Sequence, residues 1–188
     1  MAVKSNLPHG FKAKAERLAI EYRKELGIHP CDPLCAFKLA EHLAVGVFEP
    51  SEITTDSDLL SDYSGGSKWS AWTQPTATGN TIIVYNPFHS AARQQSDVMH
   101  ELAHIICKHD KPDSKYNFSL PVGMRDLRKE DEAECLGSTL QLATPCLLWA
   151  SKRGLSFEEI GAYFNASYDM VKYRMNITGI ARRLMQSR

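Results

Sequence analysis

His100-Glu101-Leu102-Ala103-His104 is the stretch that decides how the rest of this sequence is interpreted. It has the pattern His-Glu-x-x-His, and residues four apart on an α-helix lie one turn apart on the same face. His100 and His104 can therefore offer two imidazoles to one metal ion, while Glu101 can reach a water molecule on that ion. Zinc lowers the pKa of bound water towards ~7, and a carboxylate beside that water can move its proton to a leaving amine. The pattern predicts a zinc site suited to hydrolysis.

The alternative is an ordinary amphipathic helix that carries two half-buried histidines. The surrounding sequence favours the metal site, because apolar residues recur through the motif at helical spacing. Ser96 and Asp97 would supply an N-cap and an acidic first turn. We therefore expect a largely buried helix over residues 96–109. Its apolar stripe comprises Val98, Met99, Leu102, Ile105 and Ile106.

Length and composition indicate a globular protein with one domain. The chain has 188 residues, of which 43% are hydrophobic, and its 22 Lys and Arg balance 22 Asp and Glu. A net charge of zero gives no overall basic field for nucleic acid. We expect one metallopeptidase domain over residues 1–188, with N-terminal helices and a first strand in 1–60. The sheet and zinc-site helices would follow in 61–150 and helix-turn-helix-like helices in 151–188.

The sequence also predicts a cytoplasmic location. No apolar run approaches the length of a transmembrane helix, and residues 1–11 lack the apolar core of a signal peptide. Five cysteines, an odd number, suit free thiols in a reducing compartment. Cys31 and Cys35 could be half of a metal site, but no second close pair follows, so we expect buried or incidental thiols.

Hydrophobic periodicity predicts an α+β fold with a small, three- to four-stranded mixed sheet, flanked by helices with the motif helix behind it. The strand Thr81–Tyr85 is rich in β-branched residues, and we expect it to be the edge that takes a peptide backbone by β-addition. The other predicted elements are helices at 11–26, 34–43 and 125–142, strands at 45–48 and 68–74, a loop at 49–66 with helical turns near Leu59, a long loop at 110–124 and a helical last third.

A catalytic zinc ion needs a third protein ligand and one open position. The helix after the long loop offers Glu130, Glu132 and Glu134. Glu130 and Glu134 share a helical face, so Glu130 could be the ligand and Glu134 the hydrogen-bond partner of a ligating histidine. Glu132 would lie almost opposite and remains the alternative ligand. A second alternative is a solvated acidic stretch beside Arg128 and Lys129.

The chain resembles the ImmA/IrrE family of metallopeptidases over most of its length. The resemblance lies in Thr-Ile-Ile-Val-Tyr-Asn-Pro at 81–87, Arg93, the His-Glu-Leu-Ala-His motif with His109 five residues on, Glu-x-x-Ala at 130–133, and the segment 140–145. It implies a zincin-like fold. It also implies a protein substrate, since such peptidases are typically encoded with a helix-turn-helix repressor that they cleave or inactivate, in mobile elements or stress responses.

The resemblance also implies roles for individual residues. His100, His104 and Glu130 would hold zinc, and Glu101 would be the general base. The sequence departs from the family pattern where Glu134 stands in place of a frequent Asn and where residues 142–145 replace a more apolar ending. The extra carboxylate keeps the choice between Glu130 and Glu132 open.

A second pattern lies in the C-terminal residues 157–175. Gly161, Asn165 and Val171 stand where a helix-turn-helix has a small residue, a left-handed residue and a core residue. The alternative, which we favour, is a helical hairpin packed against the peptidase core; a repressor-docking surface is also compatible. The residues that a DNA groove would meet are Tyr168, Asp169, Lys172, Tyr173 and Arg174.

Other residues have less specific patterns. His89 and Arg93 could line the substrate cleft or lie on a loop surface, His109 could cap the motif helix, and Tyr173 or His89 could stabilise an oxyanion. Trp69, Trp72 and Trp149 suit the core or a groove wall. The competing function is a non-catalytic regulatory protein with a structural metal site, which binds a repressor or DNA through its C-terminal helices.

Overall fold

Helices surround a small sheet in the computed structural model, which describes residues 6–55, 69–109 and 126–182. The predicted α+β class, with a mixed sheet flanked by helices and a helical C-terminal part, is confirmed. The elements in chain order are α1 (Phe11–Glu25), α2 (Ala36–His42), β1 (Gly46–Phe48), α3 (Pro50–Ile53), β2 (Ala71–Pro75), β3 (Thr81–Tyr85), α4 (Ala91–Ile106), α5 (Leu127–Gln141), α6 (Thr144–Lys152), α7 (Phe157–Phe164) and α8 (Tyr168–Ile177).

Most of these bounds agree with the predicted ones to within three residues. The predicted loop at 49–66 begins instead with the short helix α3, in which Pro50 occupies the first helical position. The predicted helical turns near Leu59 and the predicted loop at 110–124 lie outside the described residues. None of the described helices has the length and apolar character needed to span a membrane.

The sheet has the strand order β1-β3-β2, so β3 is its central strand. It pairs in parallel with β1, where Val47 lies opposite Ile83, and antiparallel with β2, where Thr73 lies opposite Ile83. The prediction that β3 is the edge was therefore wrong. Ile83 and the adjacent Val84 are both fully buried, which is typical of a strand covered on both faces rather than of an edge. Among the described strands, the edges are β1 and β2.

The motif helix α4 begins at Ala91, and the predicted range 96–109 was wrong at both ends. The five polar or small residues at its start do not show the apolar stripe by which the sequence predicted the helix. Gln95 explains why they are nevertheless helical. Its buried side chain donates from Nε2 to the carbonyl of Leu34 at 2.6 Å and accepts from the backbone N–H of Ala36 at 3.0 Å. This tertiary contact holds the first turns of α4 against the segment that leads into α2.

The predicted cap of α4 also differs. Ser90, with extended backbone dihedrals, is the N-cap residue. Ser96 is inside the helix, where its hydroxyl donates to Gln141 at 2.8 Å. Asp97 lies 2.7 Å from Nδ1 of His89, in the turn before the helix. Both residues therefore stabilise tertiary contacts of α4 and are not parts of its first turn.

The core is built around the packing of α4 on α5, with α1 on another side of α5. A single cluster of buried apolar side chains contains residues from Phe11 in α1 to Ile180 beyond α8. Each buried methylene in such a cluster contributes roughly 0.8 kcal/mol. The two helices that carry the motif histidines and the glutamates are therefore held by the core itself.

A buried arginine joins α1 to the C-terminal end of α5. The guanidinium of Arg23 donates to the carbonyls of Ala19 at 2.9 Å, Asp32 at 2.9 Å, Leu140 at 3.0 Å and Gln141 at 3.4 Å, and its side chain is fully buried. A cation is favourable at a helix C-terminus because the last carbonyls have no partner within the helix. Arg23 therefore fixes the end of the helix that carries Glu130.

We expect the substitution Arg23→Met to lower the free energy of unfolding by about 3 kcal/mol. The change keeps the apolar stem but leaves several buried carbonyls without a donor, and each such group costs roughly 1–3 kcal/mol. Arg17→Met on the exposed face of the same helix is the matched control and should change stability by less than about 0.5 kcal/mol. Urea denaturation measures both; equal losses for the two variants would refute the assigned role.

The C-terminal helices form the turn that the sequence predicted. Asn165 is left-handed, with φ 49°, and a Cβ on Gly161 would lie 2.7 Å from the carbonyl oxygen of Ala166. The DNA interpretation, which the sequence did not favour, would place Arg174 near a groove, and the structure does not support that position. The side chain of Arg174 is 3% exposed and forms an ion pair of 2.8 Å with Glu16 in α1. The helical hairpin is thereby attached to the core.

Candidate metal centre

The motif helix places its two histidines as the spacing predicted. His100 and His104 lie one turn apart on α4, and their Nε2 atoms are separated by 3.1 Å. Both rings are partly exposed, while Met99, Leu102 and Ala103 between and beside them are fully buried. The apolar side of the helix therefore fixes its rotation, and the two imidazoles emerge together on the other side.

Helix α5 brings Glu130 to the same point. Its carboxylate oxygens lie 3.4 Å from Nε2 of His100 and 3.8 Å from Nε2 of His104. Asp126 caps this helix by accepting from the N–H of Arg128, and Glu130 is the acidic residue of its first turn. The structure thus brings His100, His104 and Glu130 together, from segments separated by 26 or more positions in the sequence.

Close packing of α4 on α5 near the histidines depends on a glycine. A Cβ on Gly137 would lie 3.1 Å from the carbonyl oxygen of Met99 and 3.2 Å from Cα of His100. Both are backbone atoms of a packed helix, so a larger side chain would push the helices apart. Sequence reasoning missed this residue, because a glycine within a helix gives no sign of which backbone approaches it.

The three donors suit a zinc ion. Tetrahedral zinc with ligand bonds of about 2.0–2.1 Å has donor atoms ~3.3 Å apart. Here the two Nε2 atoms are 3.1 Å apart, and the Glu130 carboxylate lies 3.4 Å from Nε2 of His100 through Oε2 and 3.8 Å from Nε2 of His104 through Oε1. Two imidazoles and one carboxylate are also the donor set of zinc hydrolases, in which the fourth position is open. The chemistry and the spacing of His100, His104 and Glu130 therefore both fit a catalytic ion.

Negative charge surrounds His100. Burial alone would lower its pKa, but the hydrogen bond to Glu130 and the charges of Glu101, Glu130 and Glu134 outweigh that effect and raise the pKa. The same carboxylates that favour a proton on this ring would favour a divalent cation beside it. The electrostatics of the site therefore match the donor geometry.

Glu101 points towards the sheet rather than into solvent. The hydroxyl of Thr73, at the middle of strand β2, donates to Oε2 of Glu101 at 2.5 Å. Hydrogen bonds to an ionised carboxylate are short and strong. The edge strand β2 therefore holds the carboxylate next to His100. This contact could not be predicted from the motif, because Thr73 lies in a separate element.

His104 has its own hydrogen-bonded partner, and it is not the predicted Glu134. Nδ1 of His104 lies 2.9 Å from Nδ1 of His109, whose Nε2 lies 3.1 Å from Glu132. Glu134 is exposed and is not the partner of His104, but its charge lies close enough to His100 to help raise the pKa of that ring. Lys108, with φ 55°, explains the difference: this left-handed residue ends the helix and turns His109 back towards His104.

Glu132 lies outside the group of three donors. Its carboxylate contacts His109 on one oxygen and the guanidinium of Arg128 on the other, at 3.1 and 3.0 Å. Burial acts to raise the pKa of Glu132, but hydrogen bonds from His109 and Arg128 outweigh it and lower the pKa.. The contacts of Glu132 make Glu130 the better candidate for third ligand.

A second group of metal-binding residue types lies next to the first. It consists of Cys107, His109 and Glu132. Burial raises the pKa of the Cys107 thiol to about 11, so the thiolate that a metal needs is disfavoured. The first group is the better metal site.

Two other candidate residues, His89 and Arg93, both contact the carboxylate of Asp97. The side chain of His89 is 5% exposed and contacts Asp97, whereas that of Arg93 is 52% exposed and lies 3.9 Å from the same carboxylate. His89 therefore stabilises the start of α4. The cysteines in the described ranges, including Cys31 and Cys35, are free thiols as predicted.

The three tryptophans are all in partly buried aromatic contacts. Trp72 in β2 and Trp69, which precedes that strand, form an edge-to-face pair with ring centroids 5.0 Å apart. Trp149 lies against Tyr163 at 5.0 Å and under the guanidinium of Arg153 at 4.3 Å. These contacts suit groove walls and packing between helices.

Comparison with known proteins agrees with this description. A family model of peptidases, described as the IrrE N-terminal-like domain, matches residues 37–176, about three quarters of the chain. A solved structure described as a Mycobacterium tuberculosis transcriptional regulator is similar, with a TM-score of 0.50 and 11% sequence identity. The similarity covers 91% of this chain and 48% of that one, so this chain spans about half of the regulator's length. No curated protein matches the chain.

Proposed function

Since the chain belongs to the peptidase family of the IrrE N-terminal-like domain, we propose that it is a zinc-dependent endopeptidase. The observation that carries the proposal is the convergence of His100, His104 and Glu130 within the spacing of a tetrahedral ion. These three residues would be the metal ligands and Glu101 the general base. Residues 1–188 would form one metallopeptidase domain that acts in the cytoplasm.

The chain's own residues support general acid–base chemistry. Zinc, when bound, would polarise the scissile carbonyl and lower the pKa of an attacking water towards ~7. Glu101 would accept a proton from that water and donate it to the leaving amine. Thr73 would keep the carboxylate aimed at the reacting atoms by holding its Oε2. Positioning of this kind matters because general bases act at hydrogen-bond distance.

The geometry also supports a path for the substrate backbone. Strand β2 is an edge of the described sheet, and Thr73 in its middle contacts Glu101. An extended peptide that adds to β2 by main-chain hydrogen bonds would therefore pass next to the catalytic carboxylate. We propose β2, rather than β3, as the strand that binds the substrate.

The substrate that we propose is a helix-turn-helix transcriptional repressor encoded near this protein, as the resemblance to ImmA/IrrE peptidases implies. The competing function is a regulatory protein with a structural metal site. Structural zinc sites usually have four protein ligands, whereas three donors with a carboxylate held beside them suit catalysis. Burial of Arg174 also removes one of the cations that DNA binding by the C-terminal helices would use.

Purified protein should contain about one zinc ion per chain. The substitution His100→Ala should remove most of it, because two remaining donors hold zinc weakly. His9→Ala, at an exposed histidine in the N-terminal segment, is the matched control and should keep the metal. Elemental analysis by mass spectrometry measures the ratio; a His100→Ala variant with full zinc content would refute the ligand assignment.

The substitution Glu101→Gln should keep zinc but slow cleavage of the co-expressed repressor by about 10²–10⁴-fold, the usual contribution of a general base. Glu158→Gln, an exposed isosteric change in α7, is the control and should cleave normally. Product bands from timed incubations measure the rate. If Glu101→Gln cleaves as fast as the wild type, Glu101 is not the base.

The substitution Thr73→Val should lower kcat roughly 10-fold without loss of zinc, because the isosteric change removes the donor that orients Glu101. Thr73→Ser keeps the hydroxyl and should retain most of the activity. Steady-state kinetics on a peptide from the repressor would separate kcat from KM. Equal rates for the Val and Ser variants would show that the hydrogen bond has no part in catalysis.

A further inference from the structure

A chain of hydrogen-bonded side chains extends from His104 away from the three proposed donors. Nδ1 of His104 contacts Nδ1 of His109 at 2.9 Å, and Nε2 of His109 contacts Oε2 of Glu132 at 3.1 Å. The other carboxylate oxygen of Glu132 accepts from Nε of Arg128 at 3.0 Å. The side chains of His104, His109, Glu132 and Arg128 thus form one continuous series of hydrogen bonds. His109 and Glu132 each contact their two neighbours through two different atoms.

We propose that His109, Glu132 and Arg128 form a relay that holds His104 in the tautomer and orientation required to bind the metal. The proposal rests on the proposed function, because it presupposes a metal ion at Nε2 of His104. His109 and Glu132 are positioning residues here: neither would touch the ion or the substrate.

The direction of the hydrogen bonds follows from the chemistry of imidazole. A neutral ring that binds a metal through Nε2 carries its proton on Nδ1. His104 therefore donates to Nδ1 of His109, which must be unprotonated to accept. The single proton of a neutral His109 is then on Nε2, where it is donated to Glu132. The ionised carboxylate of Glu132 can only accept, so a neutral His109 must carry its proton on Nε2. Nδ1 of His109 then accepts from Nδ1 of His104, whose Nε2 is left free for the metal.

The backbone at the end of α4 makes the relay possible. Lys108 is left-handed, and the N–H of His109 donates to the carbonyl of His104 at 3.0 Å. This closes the end of the helix and brings the ring of His109 alongside that of His104, with centroids 5.0 Å apart. The position of His109 is therefore set by the helix end and is independent of a metal.

Glu132 and Arg128 form the end of the relay that lies furthest from His104. They lie four residues apart on α5, with the carboxylate 14% exposed and the guanidinium 63% exposed. An ion pair at this spacing on an exposed helix surface is weak alone, but here it fixes a mostly buried carboxylate against the side chain of His109, which is 8% exposed. The relay thus links α4 to α5 beside the metal ligands that the same two helices supply.

The test is the zinc affinity of the 188-residue chain, measured by competition with a chromophoric chelator. Loss of a hydrogen-bond partner of a ligating histidine typically weakens metal binding 10–100-fold. We expect His109→Phe to weaken zinc binding by that factor. His109→Gln, whose carbonyl can accept from His104 and whose amide can donate to Glu132, should restore most of the affinity.

A matched pair of variants separates the relay from general electrostatics. Glu132→Gln and Glu134→Gln each remove one negative charge from α5 near the site, and the charge of Glu134 is close enough to His100 to raise its pKa. The relay predicts that Glu132→Gln weakens zinc binding at least several-fold more than Glu134→Gln. Equal effects of the two variants would overturn the proposal.

Nitrogen-15 NMR of the imidazoles in the zinc-loaded wild type gives a second measurement, which does not depend on the folding of any variant. The relay predicts that His109 carries a proton on Nε2 and none on Nδ1. The opposite tautomer, or a metal on Nε2 of His109, would overturn it. Failure of the wild type to bind zinc would instead refute the proposed function, and the relay with it.

Discussion

The contact between helices α4 and α5 is the constraint on which the rest of the structure depends. Two segments distant in sequence bring imidazole nitrogens and carboxylate oxygens within 4 Å of one another. The core holds both helices, Gly137 lets their backbones approach, and Arg23 fixes the C-terminal end of α5. The donor atoms are therefore positioned by packing that is independent of a metal, which is how a protein keeps such a site preorganised.

The same contact organises the surroundings of the donors. On one side, Thr73 from β2 holds Glu101, and on the other side His109 and Glu132 continue from His104. Glu101 and His104 thus each have a hydrogen-bond partner outside the donor set. Partners of this kind set the orientation and the protonation of the groups that do the chemistry, and loss of one weakens the site although no ligand is removed.

How much of this could be predicted from the sequence depended on how local each feature is. The placement of His100 and His104 follows from helical geometry alone, and the strand β3 follows from its β-branched residues. The prediction that β3 is an edge strand was wrong, because strand order depends on pairings that a single run of residues does not specify. The predicted start of α4 was also wrong, because a tertiary contact of Gln95 determines where this helix begins.

The partner of His104 could not be predicted for a similar reason. Spacing on α5 indicated Glu134 as the hydrogen-bond partner of a ligating histidine. For His104 that partner is instead His109, which the left-handed backbone of Lys108 brings alongside. A non-glycine residue in this conformation leaves no pattern in the sequence. Likewise, the turn of the C-terminal hairpin was predicted from Asn165, whereas the burial of Arg174 against α1 was not. Long-range contacts account for each of these differences.

X-ray absorption spectroscopy at the zinc edge, on the zinc-loaded 188-residue chain, tests the central claim most directly. With His100, His104 and Glu130 as ligands, the first shell contains only nitrogen and oxygen at about 2.0–2.1 Å, with the outer-shell scattering of two imidazoles. A sulfur shell at about 2.3 Å would place the metal at a cysteine, as in the group of Cys107, His109 and Glu132, and would contradict the account.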